Sequence, residues 1–417
     1  MTRQPSFSIE RWPQRVFRRF REATAGYPRQ FWFLFWGLLI SASGRSMVWP
    51  FMTIYMRQEL GVSLTTVTLL LTLNSATGLV ATTVAGPIVD RFGRKGAMIL
   101  SLAASSATLM GMSVAGTLDL WTILMALSGA FGPLYRVGSN SMVADLIEPE
   151  RRAQSYALLR MISNVGVAIG PSLGGFVTSV SYALAFWIGA GASAFFALLI
   201  LFFVAETLPK GGEVADRSRT DTGYGQVLRD WPFLAVSGIY ALSGMPYAML
   251  MVLLPVYAKE NFGVPESQYG FIMAANATMV VLFQYLVTRI TERHRPLPVL
   301  ALGSLFYALG VGSVALWWNF PTFLLSMVVV TVGEMILIPT STALTANLAP
   351  PDMRGRYMSV YGLTWGAGFG IGPVIGGLLN DYVAPVAIWY GGLVVGIAAA
   401  LGFALLGLVL RRRKSSR

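Results

Sequence analysis

The feature that most constrains this chain is a series of apolar runs, each long enough to cross a bilayer. A helix rises about 1.5 Å per residue and the hydrocarbon core is about 30 Å thick, so a run of about 18 or more apolar residues reads as a membrane helix. Such runs cover 31–55, 62–87, 96–116, 121–144, 155–178, 183–205, 232–257, 268–290, 297–317, 322–348, 357–379 and 384–410. Lipid offers no hydrogen-bond partner, so each run must satisfy its backbone internally, as a helix does. Only 12% of the residues are charged, about half the share usual in soluble domains. The expected fold is an all-α integral membrane bundle of twelve transmembrane helices.

The distribution of charge gives the orientation. Of the 31 Lys and Arg residues, twenty-six fall before residue 31, after residue 410 or in alternate loops. The opposite loops carry only Arg57 and Lys259. Cytoplasmic loops are the ones enriched in Lys and Arg. Both termini and the 206–231 region are therefore expected in the cytoplasm, with the protein in a cell (inner or plasma) membrane. The net charge of +12 follows this topology, so no nucleic acid partner is expected. The Arg-rich start lacks an early apolar core, so no cleavable signal peptide is read. Its segment QRVFRRFREA (14–23) is either an interfacial helix or a solvated basic arm.

Several chemistries are absent. There is no Cys, and His294 is the only histidine. No Cys/His metal site, Cys nucleophile or histidine relay is available, and no nucleophile–base set marks an enzyme. No phosphate-binding G-x-x-x-x-G-K-[ST] loop occurs. Neither a cofactor nor a metal is expected, and energy coupling inside the bilayer must rest on carboxylates or a bound ion, with a proton gradient as the expected source.

The chain also repeats. ADLIEPERRAQSYALLRMISNVGVAIGPSLGG (144–175) aligns without gaps to ANLAPPDMRGRYMSVYGLTWGAGFGIGPVIGG (346–377), 202 residues on. Gly166, Gly170, Pro171, Gly174 and Gly175 fall on Gly368, Gly372, Pro373, Gly376 and Gly377, and Arg152 falls on Arg354. Tyr55 and Gly61 fall likewise on Tyr257 and Gly263. Six helices repeated in the same orientation make a parallel two-bundle transporter. The division read is 1–30, a basic segment; 31–206, the first six-helix bundle; 207–231, a polar linker; 232–410, the second bundle; and 411–417, a basic tail.

GPIVDRFGRK (86–95), between the second and third spans, carries Gly86, Asp90, Arg91, Gly93, Arg94 and Lys95. It resembles the G-x-x-x-D-R-x-G-R-[KR] signature of the major facilitator superfamily, and the resemblance extends over the chain from about residue 31. A degenerate copy, TRITERHRP (288–296), lacks the glycines. The resemblance implies the major facilitator fold, two pseudo-symmetric bundles around a central cavity. It also implies that Asp90 faces the start of the eleventh helix, near Met358–Tyr361, where the dipole favours a carboxylate. Arg94, Asp145 and Arg152 would complete a charge latch between the bundles.

Three further features bear on transport. GVAIGPSLGG in the fifth span resembles a motif associated with antiporters of the superfamily. Its small residues also serve helix packing, and the same pattern recurs in the eleventh span. Arg136 matches the family's fourth-helix arginine, linked there to proton coupling, although Ser139 and Asn140 depart from the usual form. Arg45, in the first span, is a second membrane cation. Such charges face a cavity or a partner. Arg45 and Arg136 therefore pair with an acid across the cavity, bind an anion, or satisfy backbone carbonyls.

That acid is Glu334, in GEMILIP (333–339). A carboxylate at the centre of a membrane helix costs about 2.5–3.5 kcal/mol on insertion scales. The surrounding run resembles the tenth helix of multidrug–proton antiporters, in which the corresponding glutamate meets lipophilic cations. Burial favours a protonated carboxyl and a nearby cation favours the ionised one. Proton and cation would thus compete for Glu334. The seventh span carries no acid, unlike some of those exporters. It offers Met245 and Met249, adaptable apolar contacts. Asn74, Tyr135, Asn140, Tyr240, Asn276, Gln284, Tyr361 and Trp365 are further cavity candidates. The expected function is proton-coupled export of lipophilic, often cationic, small molecules by alternating access. A lipid or glycolipid flippase is the alternative, followed by uptake of a polar nutrient or organic anion, and then by a non-transporting receptor. Expected partners are membrane lipids, protons and the lipophilic substrate, with the protein a monomer.

Overall fold

The computed structural model describes residues 26–208, 225–350 and 353–415. The 14–23 segment, most of the 207–231 linker and residues 416–417 lie outside that description. Among the described residues twelve long helices follow one another: α1 (Arg29–Leu60), α2 (Leu64–Phe92), α3 (Arg94–Met112), α4 (Leu118–Leu146), α5 (Pro149–Val180), α6 (Tyr182–Phe203), α7 (Trp231–Phe262), α8 (Glu266–Thr291), α9 (Pro296–Ser313), α10 (Phe320–Leu348), α11 (Arg354–Tyr382) and α12 (Ala387–Ser415). A 3-10 turn at Trp49–Phe51 interrupts α1 around Pro50, whose missing N–H breaks the ladder. Eleven of the twelve are long and apolar enough to cross a membrane. The exception, α3, is nineteen residues long and opens on Arg94 and Lys95.

The ends of these helices are written locally. Ser63, Thr117, Ser181, Asp230 and Asn319 each accept a backbone N–H from the first turn of α2, α4, α6, α7 and α10, meeting donors that a helix start leaves unpaired. Gly61 (φ 60°) closes α1 and Gly263 (φ 66°) closes α7. Both hold the left-handed conformation that glycine adopts without strain, and they stand 202 residues apart in the repeat.

The packing repeats as well. In the first half α1 lies against α5 and α6, α4 against α2 and α3, and α3 against α6. In the second half α7 lies against α11 and α12, α10 against α8 and α9, and α9 against α12. The halves meet along α5–α8 and α2–α11. The architecture is thus two pseudo-symmetric six-helix bundles, and α7 is the most buried span while α8 is the least.

Twelve crossings bring the chain back to its starting side, so the molecule has a terminal end and a far end. The far end is shut by links between the halves. Arg57 on α1 grips Glu260 on α7 through two bonds of 2.6 and 2.9 Å. Asp381, near the end of α11, accepts the N–H groups of Leu64 and Thr65 at the start of α2, at 3.3 and 2.7 Å. The Tyr182 hydroxyl on α6 donates to Glu266 on α8, which also pairs with Lys259. Toward the terminal end α4 and α10 carry no substantial contact among the described residues.

Candidate membrane-embedded acid site

Glu334 lies midway along α10, half-buried. The side-chain amide of Asn276 on α8 donates to its Oε2 at 2.8 Å and to Thr331 Oγ1 at 2.9 Å. The Tyr247 hydroxyl on α7 approaches the same carboxylate, and Tyr240 and Tyr307 lie within its electrostatic reach. These rings form two stacked pairs, Tyr240–Tyr361 at 5.1 Å and Tyr247–Tyr307 at 5.2 Å. Trp365 and Phe369 extend the wall from Tyr247, at 5.7 and 6.0 Å. A single acid among aromatic faces is chemistry suited to an organic cation, which ring quadrupoles and a carboxylate both attract. The acid is free to exchange partners, because the Asn276 amide holds it and no fixed counter-charge pairs with it among the described residues.

No ion pair reaches this acid from the other half among the described residues. Glu334 finds its partners in its own half, so the pairing with Arg45 or Arg136 is not formed in this state. Arg136 is exposed and reaches Thr82 Oγ1 at 3.5 Å. Arg45 is half-buried near Tyr135, a ring packed on Phe196 at 5.5 Å.

The expected latch between the bundles is not formed in this state. Asp90 pairs with Arg94 at 3.5 Å and its side chain is 59% exposed. Arg94 reaches Asp145 at 3.2 Å. Arg152 donates to the Ile147 carbonyl at 3.0 Å, capping the end of α4 instead of joining these acids. Arg91 lies against the ring of Phe92 at 5.9 Å, and Lys95 donates to the Leu201 carbonyl at 2.8 Å. Nothing lies within 4 Å of a Cβ built on Gly86, so no close approach occurs there. Gly93 (φ 87°) turns the chain, and a Cβ there would meet Glu206 at 2.2 Å. The cluster therefore knits α2, α3, α4 and α6 of one half together.

Glu206 is the residue that sequence reasoning missed. Its carboxylate accepts the N–H groups of Arg94 and Lys95, each at 3.0 Å, at the start of α3. Thr207 beside it donates to Asp145 at 2.9 Å. The far-end set of Tyr182, Glu260, Glu266 and Asp381 was likewise unassigned. The signal available was two lone cations, Arg57 and Lys259, in loops otherwise free of them.

The fifth-helix glycines act as packing surfaces. A Cβ on Gly166 would lie 2.8 Å from Ala42, on Gly170 2.0 Å from Ser46 Oγ, and on Gly174 2.3 Å from the Met47 carbonyl, all on α1. Gly175 meets Glu266 of α8 at 2.5 Å. The α11 copies behave alike, with Gly368 and Gly372 against α7 and Gly377 against α2. Pro171 gives its carbonyl a close approach to Gly270 of α8, at 2.7 Å from a Cβ built there.

The cavity candidates divide. Asn276 belongs to the acid site, and Tyr240, Tyr361 and Trp365 form its wall, Trp365 being 37% exposed. Gln284 donates to the Met335 carbonyl on α10 at 3.0 Å, next to Glu334. Met245 is half-buried and Asn140 is exposed. Two are displaced. Met249 is fully buried beside Gly376 and Gly392, so it fills α7–α11–α12 packing. Asn74 donates to the Met125 carbonyl at 3.0 Å and joins α2 to α4. Both sit on faces that helical periodicity alone cannot assign to cavity or neighbour.

Comparison with known proteins bears on the family. The sequence matches the Major Facilitator Superfamily over residues 34–242 and again over 236–417. It is 27% identical over 380 residues to a Na(+), Li(+), K(+)/H(+) antiporter of Planococcus maritimus, covering 83% of this chain and 86% of that protein. It is 26% identical over 356 residues to the multidrug resistance protein MdtH of Aeromonas hydrophila, covering 84% of this chain and 87% of that one. The crystal structure of the nucleoside transporter NupG superposes with a TM-score of 0.78 at 13% identity, covering 91% of this chain and all of that one, a likeness of fold.

Proposed function

Because this multi-pass membrane chain belongs to the major facilitator superfamily, we propose that it exports lipophilic, often cationic, small molecules in exchange for protons. The observation that carries the reading is Glu334, a membrane-embedded acid held by the Asn276 amide inside an aromatic wall. A proton arriving at the carboxylate releases the cation, and a cation arriving displaces the proton. Alternation between the halves carries one of them each way, with the proton gradient as energy source and no cofactor. Asp90, Arg91, Arg94 and Asp145 gate the terminal end, and Arg136 tunes coupling. The termini face the cytoplasm of a cell that holds the protein, as a monomer, in its inner or plasma membrane. The names of an alkali-cation/proton antiporter and of a multidrug resistance protein among its relatives support this reading.

The test is transport of a fluorescent lipophilic cation in proteoliposomes under an imposed pH gradient. The wild type moves the dye against its gradient, and Glu334→Gln abolishes this while remaining folded and monodisperse. Normal transport by Glu334→Gln would remove the acid from the mechanism. Movement of labelled anionic lipid with no movement of dye would favour the flippase.

A further inference from the structure

The half opposite Glu334 carries a cation that the exchange described above does not use. Arg45 sits in α1 between Gly44 and Ser46, and no carboxylate pairs with it among the described residues. A guanidinium carries five N–H donors and no acceptor. Placed in a membrane bundle, it demands anionic or carbonyl company. The neighbour it does have is Tyr135 of α4, within electrostatic reach. Tyr135 is 8% exposed, and its hydroxyl is buried with no hydrogen-bond partner. Ser139, one turn further on, approaches that hydroxyl without closing a bond. Ser41, one turn before Arg45 and so on the same face of α1, is fully buried, and its hydroxyl is also without a partner.

Buried polar groups are nearly always bonded, and an exception calls for an explanation. Here two unpartnered hydroxyls and an unpaired guanidinium share one region of one half. All three can donate. What is missing is an acceptor carrying negative charge.

We propose that Arg45 and Tyr135 form an anion site that takes a carboxylate-sized group, with the guanidinium as counter-charge and the phenol as second donor. With Glu334 on the opposite half, the cavity then has a pole of each sign. A substrate carrying a carboxylate or phosphate beside its cationic, apolar body would engage both. A free inorganic anion would fill the Arg45 pole alone. This site stands or falls independently of proton exchange at Glu334.

The test is equilibrium binding of radiolabelled benzoate to the purified full chain at constant ionic strength. Saturable binding is expected to the wild type. Arg45→Gln should weaken it by about tenfold or more, and Tyr135→Phe by several-fold, as loss of a bond to a charged group implies. Arg45→Lys, which keeps the charge and guards against misfolding, should keep part of it. Arg160→Gln, which removes an exposed cation from α5, should leave it unchanged. Competition then separates the sources. Displacement by inorganic phosphate and chloride assigns the site to free anions, whereas displacement only by carboxylates with an apolar body assigns it to the substrate. Absence of saturable binding, or equal binding by wild type and Arg45→Gln, overturns the proposal.

Discussion

Removing the Tyr182 hydroxyl should open the far end. Tyr182 lies on α6, and its hydroxyl donates to Glu266 on α8, so the bond joins the halves. The Lys259 ammonium also lies 3.3 Å from that hydroxyl. The ring has separate tasks, against Tyr55 at 5.2 Å and under the Lys259 ammonium at 5.5 Å. Tyr182→Phe keeps those and deletes the hydroxyl's cross-half bonds, to Glu266 and from Lys259. The Lys259–Glu266 pair stays intact because both residues lie in the second half. A hydrogen bond to a charged group contributes about 1.5–3 kcal/mol. That amount shifts an equilibrium between far-end-shut and far-end-open forms by about 10- to 150-fold. Arg57→Gln removes a half-exposed ion pair, which solvent screens to about 0.2–1 kcal/mol, so its effect should be at most about fivefold. The chain has no native cysteine, so spin labels can be placed on cysteines introduced at Val180 and Tyr382. Both are exposed, at 81% and 82%, at the far ends of α5 and α11. Pulsed electron–electron distance measurements should show a longer distance appearing in Tyr182→Phe and less of it in Arg57→Gln. An unchanged distribution in Tyr182→Phe, or a larger effect from Arg57→Gln, would refute the assignment of the buried link as the stronger closure.

Two further outcomes follow from the packing. Gly174→Ala forces a Cβ to within 2.3 Å of the Met47 carbonyl and should lower stability in detergent by about 1–3 kcal/mol. Gly86→Ala meets nothing within 4 Å and should be neutral or stabilising by up to about 1 kcal/mol; equal thermal shifts for the two would contradict this. Asn276→Ala deletes a bond to the Glu334 carboxylate and should slow proton-driven dye export by about tenfold or more, and an unaltered initial rate would show that Asn276 plays no part.

Much of this protein was readable from its sequence, and for physical reasons. Run length and polarity determine that the chain spans a membrane as helices, since lipid leaves the backbone no other solution. The 202-residue repeat determines two like bundles, and Gly61 and Gly263 show it down to matched φ angles. Glu334 stood out because an acid in an apolar run is costly wherever the run packs. The tertiary structure decided what depends on neighbours distant in sequence. It gave Glu334 to Asn276, 58 residues away, and left Arg45 beside Tyr135. It turned Met249 and Asn74 toward other helices, because helical periodicity marks a face but not what lies against it. It also closed the far end through links between the halves. That choice rests on a few cross-half bonds of small net free energy, which no local pattern in the chain encodes.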